Sequence, residues 1–414
     1  MANSSIIRKA IQSGSYDEIK QVIETVPYQV LSETGYTPLM LAIHLGPTIV
    51  HKKEFQLLLD WEPDLNRKDV DGYSAFSYAM SLHRIEFINA LIDRNVDVNV
   101  PCVTTIAPHL RAYDAYRMDV MLDKRTKYPV STRHQMSPLS MAIYRSYDYL
   151  VPELVERGAD LDVIGGLDIT PLSMAVRSHN FEMVEYLLEK GANPNVLPSN
   201  WHEYASNPDE VCPVALKKAI KYGEAMALNM LIQAGSNVPR LFPRKNDLYS
   251  TPLTYLFSQP VSQLNEQFSC FEILRKYSSI KELDSMGRSP LSHALENKTL
   301  DYTLYYLMDE EINNKPDING MTPMMYAFRS GYYRGMELLQ AQGVSMADQI
   351  LPDTGRNLLM DAVHHLNPEM VSFLLQHEPK LLQMAKGAKN LAEHITHQDA
   401  PIASLMFEIF QKQK

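Results

Sequence analysis

The chain has 414 residues, 45% apolar and 21% charged, which excludes a disordered or collagen-like polymer and leaves room for a large core. A net charge of −10 argues against a uniformly basic nucleic-acid surface, and no run of about 18 apolar residues marks a membrane span. Cys102, Cys212 and Cys270 are too few for a disulfide framework and fit a reducing compartment, and Met1–Ala10 lacks the basic start and apolar core of a secretory leader.

In chain order, Ser4 to Glu24 reads as a first helix pair, with Arg8, Lys9, Gln12 and Lys20 on a polar outer face. A pattern of Thr or Ser, Pro, Leu and then Ala three residues on follows. It is clear at Thr37-Pro38-Leu39…Ala42, Ser137-Pro138-Leu139…Ala142, Thr170-Pro171-Leu172…Ala175, Ser289-Pro290-Leu291…Ala294 and Thr322-Pro323-Met324…Ala327, and Thr251-Pro252-Leu253 shares its start. Weaker copies begin at Ser5, Ser74, Val214, Asn357 and Gly387. The proline position of the pattern falls at 6, 38, 75, 138, 171, 215, 252, 290, 323, 358 and 388, and its well-formed spacings cluster near 33.

Each copy has a physical reading. Thr or Ser accepts hydrogen bonds from the free N–H groups of a helix start, and Pro at the next position loses no needed donor. Leu and Ala face inward, and the small Ala lets neighbouring helices approach. A second apolar helix follows, as in Phe181–Lys190 and Met370–Gln376, too short to be stable alone. Gly158 and Gly191 end such helices, and Asp71-Gly72, Asn319-Gly320 and Thr354-Gly355 are turns into the next copy.

Three stretches interrupt the period. Residues 100–134 hold six basic residues against three Asp, with Tyr113, Tyr116 and Arg117 among them, so they read as decoration or as a partner-binding arm. Residues 197–212 carry Trp201, an interface anchor or a packed ring, and 236–250 hold the basic, proline-interrupted Val238–Lys245, read as an extended loop. Asn390 to Lys414 reads as a closing helix pair.

The segment Asp168–Asn195 resembles a nearly complete ankyrin repeat, and the likeness covers almost the whole chain outside the insertions. The resemblance implies an all-α ankyrin-repeat solenoid over residues 1–414, of about ten to eleven helix-turn-helix repeats with short β-hairpin finger turns and insertions. The fourth motif position, His in the family, is Met40, Ser77, Ser140, Ser173, Thr254, Ser292, Met325 and Met360 here. That departure implies loss of the family's Thr–His hydrogen bond and less rigid repeats.

The resemblance also implies a concave, partner-binding groove. Carried over position by position, its variable sites are Tyr36 and Tyr73 after the turn glycine and Tyr78, Lys218 and Tyr326 in the first helix. At that helix's end they are Tyr144, Arg145, Arg177, Lys221, Tyr222 and Arg329. Tyr and Arg dominate and acids are scarce, which suits a monomer that binds another protein through an acidic or phosphorylated segment. Nucleic acid is disfavoured by the charge. Degenerate repeats with irregular insertions also resemble host-directed effectors of intracellular bacteria. Such a protein is cytoplasmic, or delivered into a host cell without a cleavable signal.

No phosphate loop, dinucleotide fingerprint, zincin motif or paired CxxC occurs, so no cofactor or metal is expected. The alternative is a cysteine-dependent enzyme on the 100–134 insertion, with Cys102 seven residues before His109. The late histidines, His364, His365, His377, His394 and His397, read as surface residues, and Asp64, Asp97, Asp160 and Asp162 as turn caps.

Overall fold

The computed structural model describes residues 2–103, 135–166, 168–203, 205–243, 248–259, 264–365 and 367–381. The eleventh pattern copy, the closing pair Asn390–Lys414, and Tyr113, Tyr116, Arg117, His109, His394 and His397 lie outside these residues.

The regular elements of the described residues are almost all helices, in ten pairs. The first pairs are α1 (Ala2–Ser13) with α2 (Tyr16–Thr25), α3 (Pro38–Leu45) with α4 (Lys52–Trp61), and α5 (Ala75–Ser81) with α6 (Ile85–Ile92). Then come α7 (Pro138–Tyr144) with α8 (Leu150–Glu156), α9 (Pro171–Arg177) with α10 (Phe181–Glu189), and α11 (Val214–Tyr222) with α12 (Ala225–Gln233). The remaining pairs are α13 (Pro252–Phe257) with α14 (Leu264–Leu274), α15 (Pro290–Glu296) with α16 (Asp301–Leu307), α17 (Pro323–Ser330) with α18 (Tyr333–Ala341), and α19 (Leu358–His364) with α20 (Pro368–His377). The first ten pattern copies each open or fall within the first helix of a pair.

The caps explain the helix starts. Thr37, Ser74, Ser137, Thr170, Thr251, Ser289, Thr322 and Asn357 each accept from the backbone N–H three residues on. Each bond stabilises its helix by about 1 kcal/mol. In several repeats a hydroxyl stands where the family has His and takes up a bond of the same turn. The cap's own N–H donates back to Ser77 at 3.2 Å, to Ser173 at 2.8 Å and to Thr254 at 2.7 Å. Ser137 donates instead to the Ser140 hydroxyl at 3.0 Å. These reciprocal bonds close the first turn as a capping box does.

Contacts divide the chain into two compact units, with the division falling inside the α11–α12 pair. In the first unit α1, α3, α5, α7 and α9 pack each on the next, and α2, α4 and α6 do the same. Ala42, Ala79, Ala142 and Ala175 are almost fully buried along the row of first helices, where a larger side chain would hold neighbours apart. The second row is locked by Phe55 of α4 stacked on Phe87 of α6, with ring centroids 4.0 Å apart. In the second unit α13, α15 and α17 pack in sequence, and α16 packs on α18. Ala294, Ala327 and Ala362 hold the corresponding buried positions.

The turns after the second helices of the first unit are laced to one another. Asn66 Oδ1 accepts from the Asp97 N–H at 2.6 Å, Asn99 from Asp160 at 2.8 Å and Asp162 from Asn193 at 2.8 Å. Asp64, Asp97 and Asp160 also cap the N–H two residues on, at 2.9 to 3.0 Å. These carboxylates are structural, as the sequence implied.

The large insertion leaves this lacing intact. Strands β1 (Cys102–Val103) and β2 (Gln135–Met136) pair antiparallel, with Val103 opposite Gln135. The ends of the 104–134 stretch therefore lie side by side, and Asn99 reaches past it to the Gly158 carbonyl at 3.0 Å. Residues 236–250 behave alike: β3 (Phe242–Pro243) pairs with β4 (Tyr249–Ser250), and Phe242 is buried against Tyr255. Replacing residues 104–134 by Asn-Gly is expected to leave the melting temperature within about 3 °C, because the ladder already sets the hairpin register. Loss of cooperative unfolding in that variant would show that the stack needs the insertion.

Candidate functional site

The positions nominated in the first helices and the turns before them separate into internal braces and an open edge. The braces repeat one device. Asp69 Oδ1 accepts from the N–H groups of Asp71 and Tyr73 at 3.0 and 2.9 Å, while Oδ2 accepts from the Tyr78 hydroxyl at 2.5 Å. Asp317 binds the N–H groups of Asn319 and Met321 and the Tyr326 hydroxyl, the last at 2.6 Å. Asp284 binds the N–H groups of Met286 and Arg288 and receives His293 Nε2–H at 2.9 Å. In all three, one carboxylate ties a turn to a helix residue nine positions later.

Tyr78 and Tyr326 are thus tied inward, and Arg288 lies over the Tyr326 ring at 4.1 Å. Burial, aided by the neighbouring Asp, raises both phenols above their ordinary range, so they remain neutral donors. Burial also lowers the His293 pKa, against the bond to Asp284. Tyr36 and Tyr73 are 6% and 3% exposed. The Tyr36 hydroxyl bonds His44 Nδ1, and that of Tyr73 accepts from Gln135 at 3.1 Å. Burial first, then the charge of Arg84, pushes the His44 pKa down to about 4, opposed by its bond to the Met40 carbonyl. Tyr36 and Tyr73 therefore offer little ring surface to a partner, whereas Tyr78 and Tyr326 are half-buried.

The open edge lies where first helices end. In the first unit Tyr144 is 47% exposed, Arg177 is exposed and Arg145 is half-buried. Neither arginine has an ion pair among the described residues. Lys218 is half-buried on α11. In the second unit Lys221 is exposed, 5.8 Å from the half-buried Tyr222 ring, and Arg329 pairs with Asp353. Trp201 is half-buried in a short 3-10 turn with an edge contact to His202.

One feature of this edge left no mark in the sequence. Among the described residues, the position nine after the cap has a positive φ in six repeats. It is Gly46 and Gly331 in two of them, but His83 (φ 63°), Ser146 (φ 57°), His179 (φ 54°) and Lys298 (φ 54°) in four others. A side chain there costs on the order of 1 kcal/mol relative to Gly. At Gly46 a Cβ would also meet the Arg84 guanidinium at 2.6 Å. That guanidinium donates to the carbonyls of Ile43 and His44 at 3.3 and 3.2 Å and so ties α5's turn to α3.

The thiols are poor nucleophiles. Cys102, Cys212 and Cys270 are all buried, and burial raises the pKa of Cys102 and Cys270. Among the described residues no group of three or more His, Cys, Asp or Glu is placed to hold a metal ion, and no helix is long and apolar enough to cross a membrane. His365 lies 3.3 Å from Asp361, and His377 lies 3.5 Å from Glu337.

A family model described as ankyrin repeats (3 copies) matches residues 7–102, 118–197 and 259–350, well over half of the chain. The chain belongs to the ankyrin-repeat family. Its fold is the all-α, helix-hairpin solenoid of that family, and the ankyrin repeat is a non-catalytic protein-interaction module. No curated protein matches the sequence significantly. The ankyrin pattern accounts for the caps, the buried Ala row and the turn glycines. The Asp braces and the positive-φ turns add to that framework.

Proposed function

We propose that this ankyrin-repeat protein binds a partner protein through the cationic ends of its first helices, and that the partner presents an acidic or phosphorylated segment. Tyr144, Arg145 and Arg177 form the contact in the first unit. Lys218, Lys221 and Tyr222 on α11 are further contacts. The observation that carries the reading is a helix-end edge whose arginines, Arg145 and Arg177, have no ion pair among the described residues, in a chain of net charge −10. A partner's acid is the natural complement of such unpaired cations.

The test is charge reversal. Arg145→Glu with Arg177→Glu, alone and together with Lys221→Glu, is expected to release proteins that the unaltered chain retains from a cell lysate. Melting temperature should stay within about 3 °C, since surface changes of this kind cost little. Equal retention by the triple variant would refute the edge as the contact. A host-directed role is the finer form of this proposal, and it requires that the retained proteins come from a host lysate. The 104–134 replacement tests whether that insertion adds to binding.

A further inference from the structure

The edge between α5 and α7 holds more positive charge than its structural bonds use. His83 is exposed and its ring stacks on Tyr147, with centroids 5.2 Å apart and planes 22° from parallel. Arg84 follows it directly. Arg145 stands close enough that its charge and that of Arg84, after burial, lower the His83 pKa. Among the described residues two donors in this cluster have no acceptor: Arg145 Nε, and the hydroxyl of Tyr147, a residue only 5% exposed. An orphaned buried donor costs about 1–3 kcal/mol. Asp148, the nearby acid, is exposed and accepts from Asn180 at 3.3 Å. His83 holds its place at the cost of left-handed backbone, where glycine serves in Gly46 and Gly331.

We infer that His83, Arg84, Arg145 and Tyr147 form the seat of a phosphate group carried on a side chain of the bound protein. Two fixed guanidinium charges match a phosphate of charge near −2, whereas one carboxylate leaves an excess of positive charge. Arg145 turns outward to meet the phosphate, which supplies the acceptor its Nε lacks. Arg84 supplies charge while its N–H groups stay on Ile43 and His44. Protonation of His83 adds a further donor once the anion is present.

This inference rests on the partner-binding reading above, and its test is separable from it. The probe is N-acetyl-O-phosphoserine amide, with N-acetyl-glutamate amide as comparator at matched ionic strength. The readout is the His83 imidazole NMR signal, assigned by its loss in His83→Gly. The phosphoserine probe is expected to shift the signal saturably and raise the His83 pKa by about one unit. It should bind at least about tenfold tighter than the glutamate probe, and at least about tenfold weaker to Arg145→Gln.

An equal response to both probes, or an unchanged response in Arg145→Gln, overturns the phosphate seat. His83→Gly guards against a folding artefact, since it relaxes the backbone; it should melt no lower than the parent and, followed by titration calorimetry because it lacks the imidazole signal, bind the phosphoserine probe more weakly. Unaltered probe affinity in that variant also overturns the seat. If the probe fails while charge reversal still releases partners, the edge reading stands and the seat falls. If the probe binds while charge reversal releases nothing, the seat stands and the edge reading falls.

Discussion

Phe87→Ala is expected to destabilise the first unit by about 3–5 kcal/mol, the range for emptying a large aromatic site in a core. Phe87 is 1% exposed and its ring lies flat on Phe55, so truncation removes its own burial and one face of its neighbour's packing. The helices that carry the two rings have eight and ten residues and are not stable alone. Urea unfolding followed by circular dichroism should show an early transition of reduced slope, as the unit holding α1–α10 melts before the other. The double variant Phe55→Ala/Phe87→Ala should cost less than the sum of the single changes, by about 1 kcal/mol, because each alone already breaks the shared contact. A cost below about 1 kcal/mol for Phe87→Ala would contradict the packing described.

Asp69→Ala is expected to cost about 3 kcal/mol. It deletes the acceptor of two turn N–H groups and strands the Tyr78 hydroxyl, and bonds to a charged acceptor are worth more than neutral ones. Tyr78→Phe removes only the last of these and should cost about 1 kcal/mol. Asp69→Asn should fall between, since its carbonyl oxygen serves the turn but its amide nitrogen cannot accept from Tyr78. Burial raises the Asp69 pKa against the hydrogen bonds that lower it. A folded-state pKa above the unfolded one means the folded protein takes up the proton more readily, so this group does not favour the fold at higher pH. Thermal melts of the three variants at neutral pH measure the series. Equal melting temperatures would show that the brace is not holding the turn.

Much of the architecture was legible because its cause is local. A Thr or Ser before Pro can do little but cap, so the helix starts followed from residues such as Thr170 and Ser289. The insertions were legible as breaks in the period. What anchors them was not, because the two-residue ladders join Val103 to Gln135 across residues that carry no strand pattern of their own. The nominated site fared unevenly. At Tyr36, Tyr73, Tyr78 and Tyr326, which the ankyrin resemblance places among the partner-binding positions, the fold gives the hydroxyls internal partners.

A signal for two of those four was present. Asp, then Gly three residues later, then Tyr or His nine residues after the Asp occurs at Asp69-Gly72-Tyr78, Asp284-Gly287-His293 and Asp317-Gly320-Tyr326, and each is a brace. The left-handed turns had no such signal. Glycine announces the positive φ at Gly46 and Gly331, whereas His83, Ser146, His179 and Lys298 hide a positive φ behind an ordinary side chain.

The lacing of the post-helix turns has a direction. In each link the side chain belongs to the earlier turn and the N–H to the later one: Asn66 to Asp97, Asn99 to Asp160, Asp162 to Asn193. Fraying of one turn therefore releases the amide of the turn that follows it, and hydrogen exchange at the amides of Asp97, Asp160 and Asn193 should report the opening of the turn before each.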